Sequence, residues 1–320
     1  MRGITSVLKN GNSLSNPEVY HEFCRLLGRL KANYQLGELT SLGTHFLIIC
    51  RKLVSLDDYS EAIRLIAEFT VQSLNCFQFS TNSLHYLLGL WQKLTASIPY
   101  IRNSKAHELD KYTPEVTKAY VQSRLECARL VICDGMDNPL DDQNSLTQQL
   151  DQISTICRCE YESTTTLLTN FFDQVGQEYS RVLNGQVNEQ EQKIIEFQIG
   201  WLVFIIGAAV GGRISITSSD EHDALDGDLS IKILMLMDVI NSGLESGKGR
   251  SEAIELAMLQ FFDQFRKIYV GDQVHKSSKA YMRLAEVCSL NDESDILDVL
   301  VKKIIINLKF WSESEKILVC

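Results

Sequence analysis

The chain has 320 residues, 45% of them hydrophobic, with 31 Lys and Arg against 41 Asp and Glu, a formal net charge of -10 and a pI near 5.2. That acidic balance argues against nucleic acid, whose phosphates require a Lys/Arg surplus, and it favours partners with basic surfaces. The opening "MRGITSVLKNGNSLSNPEVY" lacks the apolar run and small-residue cleavage site of a secretory signal, so a soluble, intracellular protein is expected.

Four prolines in the whole chain, none beyond Pro139, leave helices free to run long. Residues 1–15 show no apolar period and are expected to be disordered. Asn16 then reads as an N-cap with Pro17 as the first helical residue, and Val19, Phe23, Leu26, Leu27, Leu30 and Tyr34 follow at helical steps. Residues 40–56, "TSLGTHFLIICRKLVSL", interrupt this pattern as an apolar insertion. Helical stripes resume in 57–74 and 80–98. "TPEVTKAYVQSRLECARLVIC" predicts a helix capped by Thr113 with Pro114 behind it. Segments 145–159 and 160–183 form a further pair, and 189–212, 227–240, 251–270, 278–290 and 292–311 complete about eleven helices. Strand alternation is confined to "RISIT" at 213–217.

The most apolar run, "GWLVFIIGAAVGGR" at 200–213, gives twelve residues from Trp201 to Gly212. A bilayer core needs about 20 in a helix, so the run predicts a helix buried between protein layers, apolar on every face. Burying Trp201 to Ile206 contributes on the order of 10 kcal/mol. Gly207, Ala208, Ala209 and Gly211 are small enough for a neighbouring helix to approach closely, and Gly211–Gly212 offers a C-terminal stop. No membrane insertion is expected.

The predicted helices pair at an irregular spacing averaging near 50 residues, slightly longer than the 40–47 of HEAT and armadillo repeats. The expected fold is therefore all-α, an α-α superhelix of stacked pairs over 16–311, followed by a short divergent tail at 312–320. A compact multi-helix domain satisfies the same periodicity. Nine cysteines form no CxxC pair and no set with histidine; an odd number of small apolar side chains reads as free thiols, with no disulfide framework and no zinc site.

Candidate chemistry is thin. "GLESGKGRSE" at 243–252 resembles a phosphate loop, but only three residues separate Gly243 from Gly247 and Gly249 stands where Ser or Thr would meet magnesium. It predicts a turn. "SDEHDALDGDL" at 219–229 fails as a calcium loop: with Gly227 at the sixth position, His222 occupies the first and Ile233 the twelfth. HExxH and GxSxG motifs are absent and the six histidines are scattered, so no enzyme, cofactor or metal is expected. The cations Arg266, Lys267, Lys276 and Lys279 flank a turn and suit helix ends. Two acidic clusters are left: Asp134, Asp137, Asp141 and Asp142, and Asp220, Glu221, Asp223, Asp226 and Asp228. Both fall between predicted helices, so both are expected as exposed loops for basic surfaces, although the second also suits the N-terminus of the following helix.

Eight segments give the chain a resemblance. "YHEFCRLLGRLKANYQLGEL" (20–39), "NSLHYLLGLWQKL" (82–94), "YTPEVTKAYVQSRLE" (112–126), "RCEYE" (158–162), "WLVFIIGAAVGGR" (201–213), "DEHDALDGDL" (220–229), "FFDQFRKIYVGDQVHKSSKAYMRLAEV" (261–287) and "NLKFW" (307–311) occur in order over most of Tyr20–Trp311. They resemble the exportins of the importin-β (karyopherin) family, over a central part of a much longer receptor. The resemblance implies HEAT repeats, binding of Ran-GTP and of protein cargo, contact with nucleoporins, and shuttling between nucleus and cytoplasm through the nuclear pore. In related exportins a central acidic loop contacts Ran, and "DGMDNPLDD" falls near that place. The resemblance thus adds Ran or cargo binding to the two acidic clusters; a generic α-solenoid scaffold without transport activity is the alternative. Residues 40–56 and the tail after Trp311 depart from the family pattern.

Overall fold

The computed structural model describes residues 2–29, 57–98, 107–213, 220–270 and 278–319. Among them are thirteen α-helices and no strand, so the all-α class holds. The apolar insertion expected at 40–56 and most of "RISIT" lie outside the described residues. The chain divides into two compact units, Met1–Ser123 with Leu140–Glu160, and Arg124–Pro139 with Tyr161–Cys320.

The first unit contains α1 (Arg2–Asn10), α2 (Pro17–Arg29), α3 (Tyr59–Asn75), α4 (Thr81–Thr95), the start of α5 (Leu109–Asp134) and α6 (Gln143–Cys157). Residues 1–15, expected to be disordered, instead carry α1 and a 3-10 turn. The helix buries Ile4 and Thr5 and is tied to the α3 end by Arg2–Asp58 at 3.0 Å and Lys9–Glu61 at 2.7 Å; its apolar residues are too few to show a period, yet enough to dock one turn. Asn16 caps α2 as its sequence predicts, its Oδ1 accepting from Glu18 N at 2.9 Å. Gly28 of α2 lies against Tyr86 of α4, where an added Cβ would meet the Tyr86 carbonyl oxygen at 3.2 Å. The core is filled by Cys24, Leu27, Ile63, Leu87 and Trp91, the last donating its indole N–H to Thr70 Oγ1 at 3.0 Å.

The start of α5 differs from expectation. The helix begins at Leu109, not behind Thr113, and holds Pro114 inside it. His107 Nδ1 accepts from Leu109 N at 3.2 Å and so acts as the cap. Thr113 Oγ1 donates to the Leu109 carbonyl at 2.9 Å. A side-chain cap and a hydroxyl thereby support a turn that proline weakens.

The second unit contains the rest of α5 and then α7 (Tyr161–Leu183), α8 (Glu189–Gly211), α9 (Asp220–Glu245), α10 (Glu252–Tyr269), α11 (Lys279–Cys288), α12 (Glu293–Phe310) and α13 (Glu315–Val319). Its centre is α8. The helix is long and apolar enough to cross a membrane, but 78% of that apolar window is buried within the protein. Asn188 caps it, accepting from Glu191 N at 2.8 Å, and every residue from Ile199 to Val210 is buried. Glycines bring α10 close along one line of α8. A Cβ on Gly200 would sit 3.3 Å from the Ala253 carbonyl oxygen, one on Gly207 3.3 Å from Phe261 Cα, and one on Gly211 2.9 Å from Gln264 Oε1. At Gly200 and Gly207 a methyl group would crowd the α10 backbone, whereas at Gly211 the flexible Gln264 side chain could move aside.

The apparent phosphate loop is a turn. Gly243 lies in α9, while Gly247 (φ +74°) and Gly249 (φ +67°) adopt the left-handed conformation that glycine tolerates. All seven described cysteines are free. Burial pushes the thiols of Cys24 and Cys157 up to about 12 and that of Cys127 up to about 11, as apolar surroundings do to a group that would become an anion.

Candidate functional site

The first acidic cluster is on the surface. Asp134 ends α5, Asp137 and Asp141 follow in the connecting loop, and Asp142 caps α6; all four are exposed. Asp134 lies 3.6 Å from Arg129, which is held closer by Glu126 at 2.6 Å. Asp142 accepts from Ser145 N at 3.1 Å, the ordinary work of an N-cap. Charge in this loop is therefore offset only in part, and such carboxylates attract cationic surfaces at a range set by ionic strength.

The second cluster corrects the expectation of an exposed loop. Residues 220–228 are the first turns of α9, with Asp220, Glu221 and Asp223 in its opening turn where they complement the helix dipole. Asp220 and Glu221 are exposed and Asp228 is half-exposed. Asp223, 6% exposed, pairs with Arg213 at 2.9 Å. Asp226 is fully buried. It accepts from Tyr269 Oη at 2.7 Å through one carboxylate oxygen and from Tyr161 Oη through the other. Asp228 holds Arg283 at 2.7 Å. Asp223 and Asp226 are therefore internal fasteners, unavailable to a docking partner, while Asp228 is half-exposed and engaged with Arg283. Acidity predicts a surface; the tertiary partners override it.

The partners themselves lie in segments singled out by sequence for another reason. Tyr161 comes from "RCEYE", while Tyr269 and Tyr281 come from "IYVGDQVHKSSKAYM". Tyr281 donates its hydroxyl to the Tyr269 carbonyl, and the Arg213 guanidinium lies 5.3 Å from the Tyr269 ring centre. Gly227 completes the junction: an added Cβ would approach both Ala280 Cα and Arg283 Cβ at 3.0 Å. Thus α7, α9, α10 and α11 meet at one carboxylate. Burial, reinforced by the charge of Asp226, holds the Tyr269 hydroxyl far above the usual phenol range, so it remains a donor.

A second buried ionic group lies under α12. Lys303, 2% exposed, donates to Glu255 Oε2 at 2.8 Å and to Asn241 Oδ1 at 3.1 Å, and Asn307 Nδ2 donates to the other Glu255 oxygen at 2.7 Å. Burial draws the Lys303 ammonium below its ordinary pKa while Glu255 opposes that shift. Both networks join residues of different helices, and in the second one only Asn307 Oδ1 is buried without a hydrogen-bond partner. Among the described residues, no group of three or more His, Cys, Asp and Glu could hold a metal.

A family model described as "Exportin-7-like, TPR domain" matches residues 127–319. Exportin-7-B of Xenopus laevis is 51% identical over 98% of this chain and 28% of its own length. Ran-binding protein 17 of Homo sapiens is 44% identical over 99% of this chain and 28% of its own length. Exportin-7 of Dictyostelium discoideum is 32% identical over 98% of this chain and 30% of its own length. The chain thus spans under a third of these relatives. No solved structure matches it. The sequence expectation of HEAT repeats and the family's TPR description agree on paired helices as the building unit.

Proposed function

Since the chain belongs to the exportin-7-like family, we propose that it works as a helical-repeat segment of a nuclear export receptor, binding Ran-GTP and protein cargo with basic surfaces. The observation that carries this reading is the near-complete coverage of the chain by relatives whose names include both Exportin-7 and Ran-binding protein 17. The net charge of -10 supports the basic character of the cargo. The function is binding and transport rather than catalysis, with nucleoporins as further partners and shuttling between nucleus and cytoplasm as the cellular consequence. Ran-GTP and cargo act by linkage: each raises the affinity for the other by the same factor.

Of the nine acids considered for this role, the exposed Asp134, Asp137, Asp141 and Asp142 are the ones assigned to Ran, with Asp220 and Glu221 as lesser candidates for cargo. Capture of Ran by the immobilised chain tests the reading. Capture selective for the GTP-loaded form is expected; equal capture of GTP and GDP forms, or none, refutes it and leaves a generic helical scaffold. Replacing Asp134, Asp137, Asp141 and Asp142 with Asn is expected to weaken binding and flatten its salt dependence. Unchanged affinity at low salt would remove the loop from the Ran site.

A further inference from the structure

The sequence contains five Asp-x-x-Asp stretches, ending at Asp137, Asp223, Asp226, Asp295 and Asp298. That spacing is what an aspartate-specific cysteine endoprotease of the caspase class reads. Its cationic pockets take both carboxylates, it cuts after the second aspartate, and it favours a small or polar residue next. Asn138, Ala224 and Gly227 meet this last condition; Ile296 and Val299 do not.

The structure separates the five further. A protease takes its substrate as an extended strand, so a bond inside a packed helix stays closed to it until that helix unfolds. Asp223 and Asp226 are buried in α9, one paired with Arg213 and the other with two tyrosines. Asp292 caps α12, accepting from Ser294 N at 3.0 Å and from Asp295 N at 3.2 Å. The bonds after Asp295 and Asp298 both lie within that helix, and Ile296 is buried.

The Asp137–Asn138 bond is different. It lies between the end of α5 at Asp134 and the start of α6 at Gln143, with helices of this chain on both sides. Asp134, Gly135 and Asp137 are exposed, while Met136 and Asn138 are half-buried. Pro139 holds Asn138 out of the helical region, so α6 does not extend back over the bond. Straightening the stretch gives up the hydrogen bond from Met136 N to the Leu130 carbonyl at 3.2 Å and the Arg129–Asp134 contact at 3.6 Å. Both are at a helix terminus, where opening costs least. Gly135, at φ +69°, swings to an extended conformation without steric cost.

We infer that Asp137–Asn138 is a site of limited proteolysis by an enzyme of this class. The protease thiolate attacks the Asp137 carbonyl carbon, the C–N bond breaks, and Asn138 leaves as an amine with a proton from the protease histidine. Water then hydrolyses the thioester, leaving Asp137 with a terminal carboxylate and restoring the thiol. Arg124–Pro139 belongs to the second unit and Leu140–Glu160 to the first, so each product carries a part of both. Packing inside a unit then holds the products together, as where Gln152 Nε2 donates to the His85 carbonyl at 3.0 Å. The cut also opens the loop assigned above to Ran, but recognition by the protease does not depend on that assignment.

Incubating the 320-residue chain with a purified executioner caspase, at a level that cleaves an Asp-x-x-Asp peptide, tests this by intact-mass spectrometry. The expected products are 1–137 and 138–320, co-eluting on native gel filtration and separating in denaturant. Asp137→Ala and Asp137→Glu are each expected to slow the cut at least about a hundredfold, and Asp134→Ala about tenfold, with circular dichroism unchanged. Loss on Asp137→Glu distinguishes recognition of aspartate from nicking of any acidic loop. An intact wild-type chain overturns the inference. So does a first cut after Asp223, Asp226, Asp295 or Asp298, or an Asp137→Ala variant cut as fast as the wild type.

Discussion

Removing the Asp226 carboxylate tests whether the junction of α7, α9, α10 and α11 holds the second unit together. Asp226→Ala leaves the hydroxyls of Tyr161 and Tyr269 buried without their acceptor. A hydrogen bond to a charged group contributes about 1.5–3 kcal/mol. Two such bonds, offset by the relief of desolvating one carboxylate, give an expected loss of about 3–5 kcal/mol. For a unit of this size that corresponds to a fall in Tm of roughly 10 °C. Asp226→Asn keeps one carbonyl acceptor and is expected to lose about half as much. Urea unfolding followed by far-ultraviolet circular dichroism, combined with Tyr269→Phe in a double-mutant cycle, measures the coupling directly. A coupling near zero between Asp226→Asn and Tyr269→Phe, or a loss below about 1 kcal/mol for Asp226→Ala, would refute the reasoning.

The remaining expectations concern packing and titration. Gly207→Ala forces a methyl group against Phe261 Cα and is expected to cost about 1–3 kcal/mol in urea unfolding. Gly176→Ala in α7 has open space around its new Cβ and is expected to gain about 0.5–1 kcal/mol. Lys303→Met strands Glu255 in a buried position and is expected to lose about 3–5 kcal/mol, while Lys303→Met with Glu255→Leu recovers much of it. Above pH 9 the unfolded chain releases the protons of Cys24, Cys127 and Cys157, whereas the folded chain keeps them up to about 11 or 12. Their stabilisation is complete below pH 9 and lost as pH rises through that window. Lys303, with its pKa depressed in the folded state, acts with the opposite sign as the unfolded lysine deprotonates. Stability measured between pH 9 and 11 is expected to fall less steeply in Cys157→Ala than in the wild type.

Much of the helix layout was legible because local rules and burial agree. Asn16 and Pro17 start α2, and the twelve apolar residues after Gly200 leave no face for solvent. The failures share one cause. Asp223 and Asp226 look like surface charge because their partners, Arg213, Tyr161 and Tyr269, are distant in sequence or carry no periodic signal. The alternation of small and acidic residues around Gly227 was the available clue, since a glycine within a helix marks a close approach. Pro114 misled in the same way: the cap that starts α5 is a histidine side chain, outside the residue types that usually cap. The exposed carboxylates of the first cluster, which answer only to solvent and neighbouring residues, were readable without tertiary knowledge.

The engagement of both Tyr161 and Tyr269 with Asp226 bears on how this protein can be chemically marked. Phosphate cannot be attached to either phenol while the helices are joined, since a kinase needs the hydroxyl free and accessible, and the product would set a dianion against a carboxylate. Phosphotyrosine found at either position would therefore be a record of chains that had already come apart there, and its amount would count them.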